Sequence, residues 1–182
     1  MQAFRASGRR MRRLYRSGST VLLLLAAVLL AVVPSVASGA SPNDSATGSG
    51  RVADLSGASS DFSFAAHSGA TGEDAKGNLN FRNTQDYTEN NGTAKVTCLL
   101  VSGNDAIMIG TWKGDDPDAW PFGPTFPNAV LFVEDNGEPS GDTPDRGIAF
   151  GATSGTCADW LAFANGVALP LEQGNVVVRD AT

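Results

Sequence analysis

The sequence is poor in the residues on which most hydrolytic chemistry depends. It has one histidine, His67, and two cysteines, Cys98 and Cys157. A lone histidine with no orienting acid or nucleophile beside it does not make a Ser–His–Asp or Cys–His site, and no G-x-S-x-G elbow occurs. His67 therefore reads as a surface or rim residue on the polar side of a strand. Zinc is excluded on similar grounds, because one histidine and two cysteines that can pair with each other do not fill a four-ligand site. There is no phosphate-binding glycine motif and no strand–helix–strand rhythm, which argues against a nucleotide-binding α/β fold.

Positive charge is also scarce once the N-terminus is set aside. Residues 1–40 hold six of the thirteen Lys and Arg and none of the nineteen acids. The remainder has seven cations against nineteen acids, a net charge of −12. Such a chain repels nucleic acid, where binding requires Lys and Arg to displace counterions, and it repels anionic membrane surfaces. It can attract cations or remain soluble outside the cell.

Long apolar runs are missing except for one of thirteen residues, from Val21 to Val33. That is shorter than the roughly 20 residues of a membrane span. Six arginines precede it, from Arg5 to Arg16, and Pro34 ends it. Small residues follow, with Ser38 and Ala40, or Ser35 and Ala37, spaced for cleavage. The pattern predicts a secretory signal peptide over residues 1–40, with an uncleaved anchor as the alternative. Neither Arg9-Arg10 nor Arg12-Arg13 opens a twin-arginine motif, so the general export route is expected. No cysteine follows the apolar run, which excludes a lipoprotein anchor. The expected product is secreted, with no stable membrane insertion after cleavage.

In an exported chain the cysteine pair Cys98 and Cys157 predicts a disulfide, with two buried thiols as the alternative. Closing a loop of about 60 residues is worth roughly 4 kcal/mol on the chain-entropy model.

Residues 41–50 (SPNDSATGSG) are small and polar, and read as a disordered lead-in to one β domain over 51–182. A first short strand is expected over 51–55. Phe62, Phe64 and Ala66 alternate with Ser63, Ala65 and His67, and Leu79 and Phe81 alternate with Asn78, Asn80 and Arg82. These are two half-buried strands and natural hairpin partners. Asn90-Asn91-Gly92 is a turn signal. Residues 95–101 (KVTCLLV) predict a strand with Val96, Cys98 and Leu100 on one face and Leu99 and Val101 on the other. Residues 102–105 turn into a strand over 106–112. Strands are expected at 129–133, 148–150 and 174–180. A short helix fits 157–164, opened by Thr156 and Asp159 as a capping box and stopped by Asn165-Gly166. It would put Trp160, Leu161 and Phe163 near the core. About seven or eight short strands with local turns predict an all-β, antiparallel sandwich or small barrel.

Two loops carry the chemistry that is present. Residues 131–150 run LFVEDNGEPSGDTPDRGIAF, two apolar runs joined by a connection with Glu134, Asp135, Glu138, Asp142, Asp145 and one cation, Arg146. Asp135, Asn136, Asp142 and Asp145 are candidate calcium ligands, since calcium takes six to eight oxygens from such groups. The spacing is not that of an EF-hand, and a solvated acidic turn is the alternative. Asp145-Arg146 can instead form ion pairs that set the hairpin register. No other cofactor is expected. Residues 113–128 (KGDDPDAWPFGPTFPN) contain four prolines and no regular element. Trp120 and Phe122 there are candidate ligand-binding residues, forming a platform for sugars or peptides; folding down onto the core is the alternative.

The pieces FSFAAHSGATGEDAKGNLNF, VTCLLVSGNDAIMIG, VLFVEDNGEPSGDTPDRGIAF and GNVVVRDA occur in that order. With them the chain resembles a group of secreted all-β proteins of high-GC actinobacteria with no established activity. Similar strand-and-acidic-loop pieces occur in modules of larger extracellular bacterial proteins. The resemblance implies a secreted all-β domain and names no catalytic residue. Residues 113–128 look like an insertion in that pattern.

The expectation is a non-enzymatic β domain that binds an extracellular ligand or cell-envelope component, or serves structurally. The alternatives are a carbohydrate-active or other hydrolase using the acidic loops, and a calcium-stabilised module. A glycosidase would need two carboxylates about 5–10 Å apart across a cleft.

Overall fold

A computed structural model describes residues 43–53, 59–83, 90–138 and 142–181. The leader expected over residues 1–40 lies outside the described residues, as do Asp54 and Leu55 of the expected first strand. The described residues are all-β with one α-helix. The strands are β1 (Asn43–Ala53), β2 (Ser59–Gly69), β3 (Lys76–Asn83), β4 (Asn90–Ser102), β5 (Asp105–Trp112), β6 (Asn128–Glu134), β7 (Arg146–Ala152), β8 (Leu169–Pro170) and β9 (Gln173–Arg179). Helix α1 (Cys157–Val167) lies between β7 and β8.

All nine strands belong to one antiparallel sheet in the order β8-β7-β6-β5-β4-β3-β2-β1-β9. The expected sandwich of two sheets is therefore not formed. The sheet curls instead, so that β1 approaches β7 and β9 approaches β6. From β2 to β8 each strand pairs with the one before it in sequence, and the last strand returns to pair with the first.

The concave side is the main core. Phe62, Phe64, Leu79, Phe81, Val96 and Leu99 line it, joined by Met108, Leu131, Val133 and Val176 from the later strands. The convex side of β5–β7 is apolar as well. Ile107, Ile109, Val130, Phe132, Ile148 and Phe150 pack there against Cys157 and Ala164 of α1. These three strands are thus buried on both faces, which explains their near-continuous apolar runs.

Several sequence expectations need correction. Residues 43–50 of the lead-in expected to be disordered belong to strand β1. Its inward positions are Asp44, Ala46, Gly48, Gly50 and Val52, so it lacks the alternation of large apolar residues that marks a strand. It is held by backbone pairing to β2 on one side and β9 on the other. Asn90-Asn91-Gly92 is not a turn but the start of β4, paired with Phe81–Asn83. In β4 a bulge between Val96 and Cys98 shifts the register. Val96, Leu99 and Val101 consequently all reach the concave core, while Cys98 and Leu100 face α1.

Helix α1 opens with the expected capping box. Asp159 N–H donates to Thr156 Oγ1, and Thr156 N–H donates to Asp159 Oδ2 at 2.7 Å. The N–H and the hydroxyl of Thr156 both donate to Asp159 Oδ2 and hold its carboxyl below the ordinary value. The helix does not stop at Asn165-Gly166 but continues to Val167. Trp160 and Leu161 pack against the outer core, and Phe163, 43% exposed, stacks edge-on against Phe150 and Trp160 beside it. Cys98 and Cys157 form the disulfide, which ties the first turn of α1 to β4.

Candidate functional site

The acidic connection between β6 and β7 lies along the outer edge of β9. A strand there would supply carbonyl oxygens to the free N–H groups of β9. Two aspartates supply them instead. Asp145 Oδ2 accepts from Val176 N–H and Asp135 Oδ2 accepts from Val178 N–H, both at 2.9 Å. The second oxygen of each carboxylate fixes the loop itself. Asp145 Oδ1 accepts from Asn136 N–H and Asp135 Oδ1 accepts from Gly137 N–H, again at 2.9 Å. Asn136 Nδ2 donates to Pro144 O, and Leu171 N–H donates to Asp145 O. The gap between the two ends of the curled sheet is thus bridged by carboxylates and a few backbone bonds.

This geometry bears on the candidate calcium ligands. The oxygens of Asp135 and Asp145 are directed at four different amides rather than at a common point. Asp142 is exposed. Among the described residues no group of three or more His, Cys, Asp or Glu side chains gathers where one metal ion could be held. Beside the seam is a pocket of about 200 Å³ whose lining includes Glu138, Thr143, Asp145, Leu171, Glu172 and Gln173. It is smaller than the clefts that enclose drug-sized ligands.

Arg146 builds a second polar cluster. Strand register places Asp105, Glu134 and Arg146 side by side on β5, β6 and β7. The guanidinium donates to Glu134 Oε2 at 2.7 Å and to the carbonyls of Ala168 at 2.8 Å and Asn165 at 3.4 Å. Those last bonds satisfy carbonyls at the C-terminal end of α1, where a cation is favoured by the helix dipole. Asn165 Nδ2 donates to Asp105 Oδ2 at 2.9 Å. Burial, with Glu134 nearby, raises the Asp105 carboxyl above its ordinary value, against the opposing pull of Arg146 and Asn165. Of the expected Asp145-Arg146 ion pairs, Arg146 forms one, with Glu134, and it also docks the helix, whereas Asp145 accepts backbone N–H groups instead.

Asp44 was not singled out from sequence. It is 1% exposed at the start of β1, and its Oδ1 accepts from Ala181 N–H at 2.9 Å, just past β9. Among the described residues its Oδ2 has no partner, nor does the buried Oγ of Ser68, its cross-strand neighbour. Desolvation raises its carboxyl above the ordinary value; the Ala181 N–H opposes this, and Asp180 and Glu73 add to it. The three carboxylates of Asp44, Asp135 and Asp145 thus receive N–H groups from one short C-terminal segment. The visible signal was an unusual aspartate among small residues in 41–50.

The proline-rich segment folds over one end of the curled sheet. Pro117–Ala119 makes one 3-10 turn, capped by Asp116. Phe122 stacks with Phe81 and Trp112, ring centres 5.3 and 5.9 Å away. Trp112 Nε1 donates to Phe126 O at 3.0 Å. Trp120 and Phe122 are partly buried and pack against the concave core. A side chain at Gly151 would run into Phe126 and Phe122, so the glycine admits the loop. The aromatics extend the core at this end rather than standing out as a platform. His67 is exposed on the convex face of β2, between Ser45 and Lys76.

No protein-family model, curated protein or solved structure matches this chain. Among the described residues no helix is long and apolar enough to cross a membrane.

Proposed function

We propose that the chain is a secreted, non-catalytic β module that binds an extracellular or cell-envelope component. One observation carries this reading: the carboxylates of the most acidic loop, Asp135 and Asp145, accept backbone N–H groups and join the two ends of the sheet. A glycosidase needs two carboxyl groups facing a cleft, one of them free to move a proton. Carboxylates aimed at four structural amides are poorly placed for that work.

The disulfide is in keeping with an oxidising compartment. The signal-peptide pattern and the resemblance to secreted actinobacterial all-β proteins point the same way. On this reading the architecture is a small barrel with one seam, closed by side chains. Its interior is filled, so the binding surface lies outside. The purified protein is expected to turn over none of a broad panel of glycans, esters and peptides. Turnover that disappears on replacing a single acid would overturn the reading.

A further inference from the structure

The convex face of β9, β1, β2, β3 and the first half of β4 is not covered by α1. Strand alternation places every Lys and Arg of these strands on it: Arg51, Lys76, Arg82, Lys95 and Arg179. Lys113, just past β5, reaches back to Asn78 Oδ1 at 2.6 Å. These are six of the seven cations beyond residue 40. Among the described residues the strands of this face direct one acid outward, Asp61, which is bonded to Arg51 at 2.7 Å, and Glu172, just before β9, stands at the rim and accepts from Ser59 Oγ at 2.9 Å. The Arg51 guanidinium holds that carboxyl below its ordinary value. Asp44, the other acid in these strands, faces inward. A chain with strong acidic excess thus gathers its cations on one face.

Between the cations most exposed positions are small hydroxyls and amides, with Ala65 and His67 beside them on β2. Thr47 and Ser49 stand on β1, Ser63 on β2, Asn78 and Asn80 on β3. They are held in register: Asn80 Nδ2 donates to Ser63 Oγ at 3.4 Å and Thr93 Oγ1 donates to Asn80 Oδ1 at 2.9 Å. The face measures about 20 Å along β3 from Lys76 to Arg82 and about 19 Å across five strands.

We propose that this face binds an acidic polysaccharide, a polymer of carboxylate-bearing sugars. The inference rests on the binding-module reading and names its ligand. Guanidinium and ammonium groups meet carboxylates, and the hydroxyl and amide rows between them offer donors and acceptors to sugar hydroxyls. The alternatives fit less well. Among its described residues this face carries no Phe, Tyr or Trp to stack a nucleic-acid base, and His67 is its single ring. Val177 is its one exposed large apolar side chain, too little to insert into a lipid surface.

The test uses immobilised polygalacturonate, with uncharged dextran, poly-L-glutamate and anionic phospholipid vesicles as comparisons. The protein should be retained by polygalacturonate at about 50 mM salt, and retention should fall steeply as salt screens the charges. The triple variant Lys76→Gln/Lys95→Gln/Arg179→Gln should bind at least tenfold more weakly with an unchanged melting temperature. The charge-preserving variant Lys76→Arg/Lys95→Arg/Arg179→Lys should bind like the parent. Equal binding to poly-L-glutamate or to vesicles, no retention on polygalacturonate, or retention untouched by the triple variant would each overturn the assignment. Dextran binding that survives the triple variant would do so while leaving the module reading in place. Shortening of the polymer chains would instead sink the module reading.

Discussion

A single carboxylate can be part of the backbone hydrogen-bond scheme, and Asp145 is the clearest case here. It is 8% exposed and accepts from the N–H groups of Asn136 and Val176. Replacing it by alanine leaves two donors without acceptors and should cost roughly 2–4 kcal/mol, read from urea denaturation. Asparagine should not rescue it, because its amide nitrogen would face one of the two N–H groups. Since these oxygens are already engaged, millimolar calcium or chelator should leave the melting temperature unchanged, whereas a calcium-dependent rise would restore the metal reading. Asp44 gives the opposite behaviour. Its folded carboxyl titrates above the unfolded value of about 3.9. The folded state therefore binds the proton more readily, and stability falls as pH rises from the unfolded value through the raised one. Asp44→Asn keeps an oxygen for Ala181 N–H and removes this loss. Its melting temperature should exceed the parent's near pH 7, and the gap should close below about pH 4; a gap independent of pH would show that ionisation of Asp44 is not the cause.

Among the elements, β1 depends on what its side chains lack. A β-carbon on Gly48 would lie 2.6 Å from Asn175 O and 2.8 Å from Val176 Cα, both backbone atoms of β9. Gly48→Val should therefore destabilise by about 1–3 kcal/mol through overpacking, with hydrogen exchange rising first in β1 and β9. The same smallness hid the strand from the sequence, because large partners such as Phe62 and Phe64 come from β2 and fill the space. Where both neighbours were large and local, as in β2–β3, β4–β5 and β6–β7, hydrophobic alternation and turn residues were enough to place the hairpins. The bulge in β4 was hidden for another reason: its sequence reads as an unbroken strand, and only the registers of β5 and α1 require the shift. Helix α1 is fixed at one end by Cys98–Cys157 and at the other by Arg146. Reducing the disulfide should remove about 4 kcal/mol on the chain-entropy model. Arg146→Ala should remove about 2 kcal/mol of charged hydrogen bonding. Both can be followed by the fluorescence of Trp160.

At the scale of the molecule, antiparallel all-β architecture could be read from strand spacing, but the choice between two sheets and one could not. That choice depends on the long-range return of β9 to β1, a pairing between opposite ends of the described chain that local patterning does not encode. The acidic loop was conspicuous in the sequence, yet its partners, the amides of Val176 and Val178, lie more than thirty residues away. The basic face was written in alternating positions of β3 but emerges only when β9, β1 and β4 are laid beside it. The seam has one further consequence. An unpaired strand edge is a template for another chain, and continuous sheets grow from such edges into aggregates. Here the aspartates of the β6–β7 loop act as a guard rail, taking the N–H groups that a foreign strand would seize. Replacing Asp135 and Asp145 together by alanine should therefore yield, beyond lost stability, concentration-dependent oligomers detectable by light scattering. A variant that remains monomeric at every concentration would show that the edge is protected by something else.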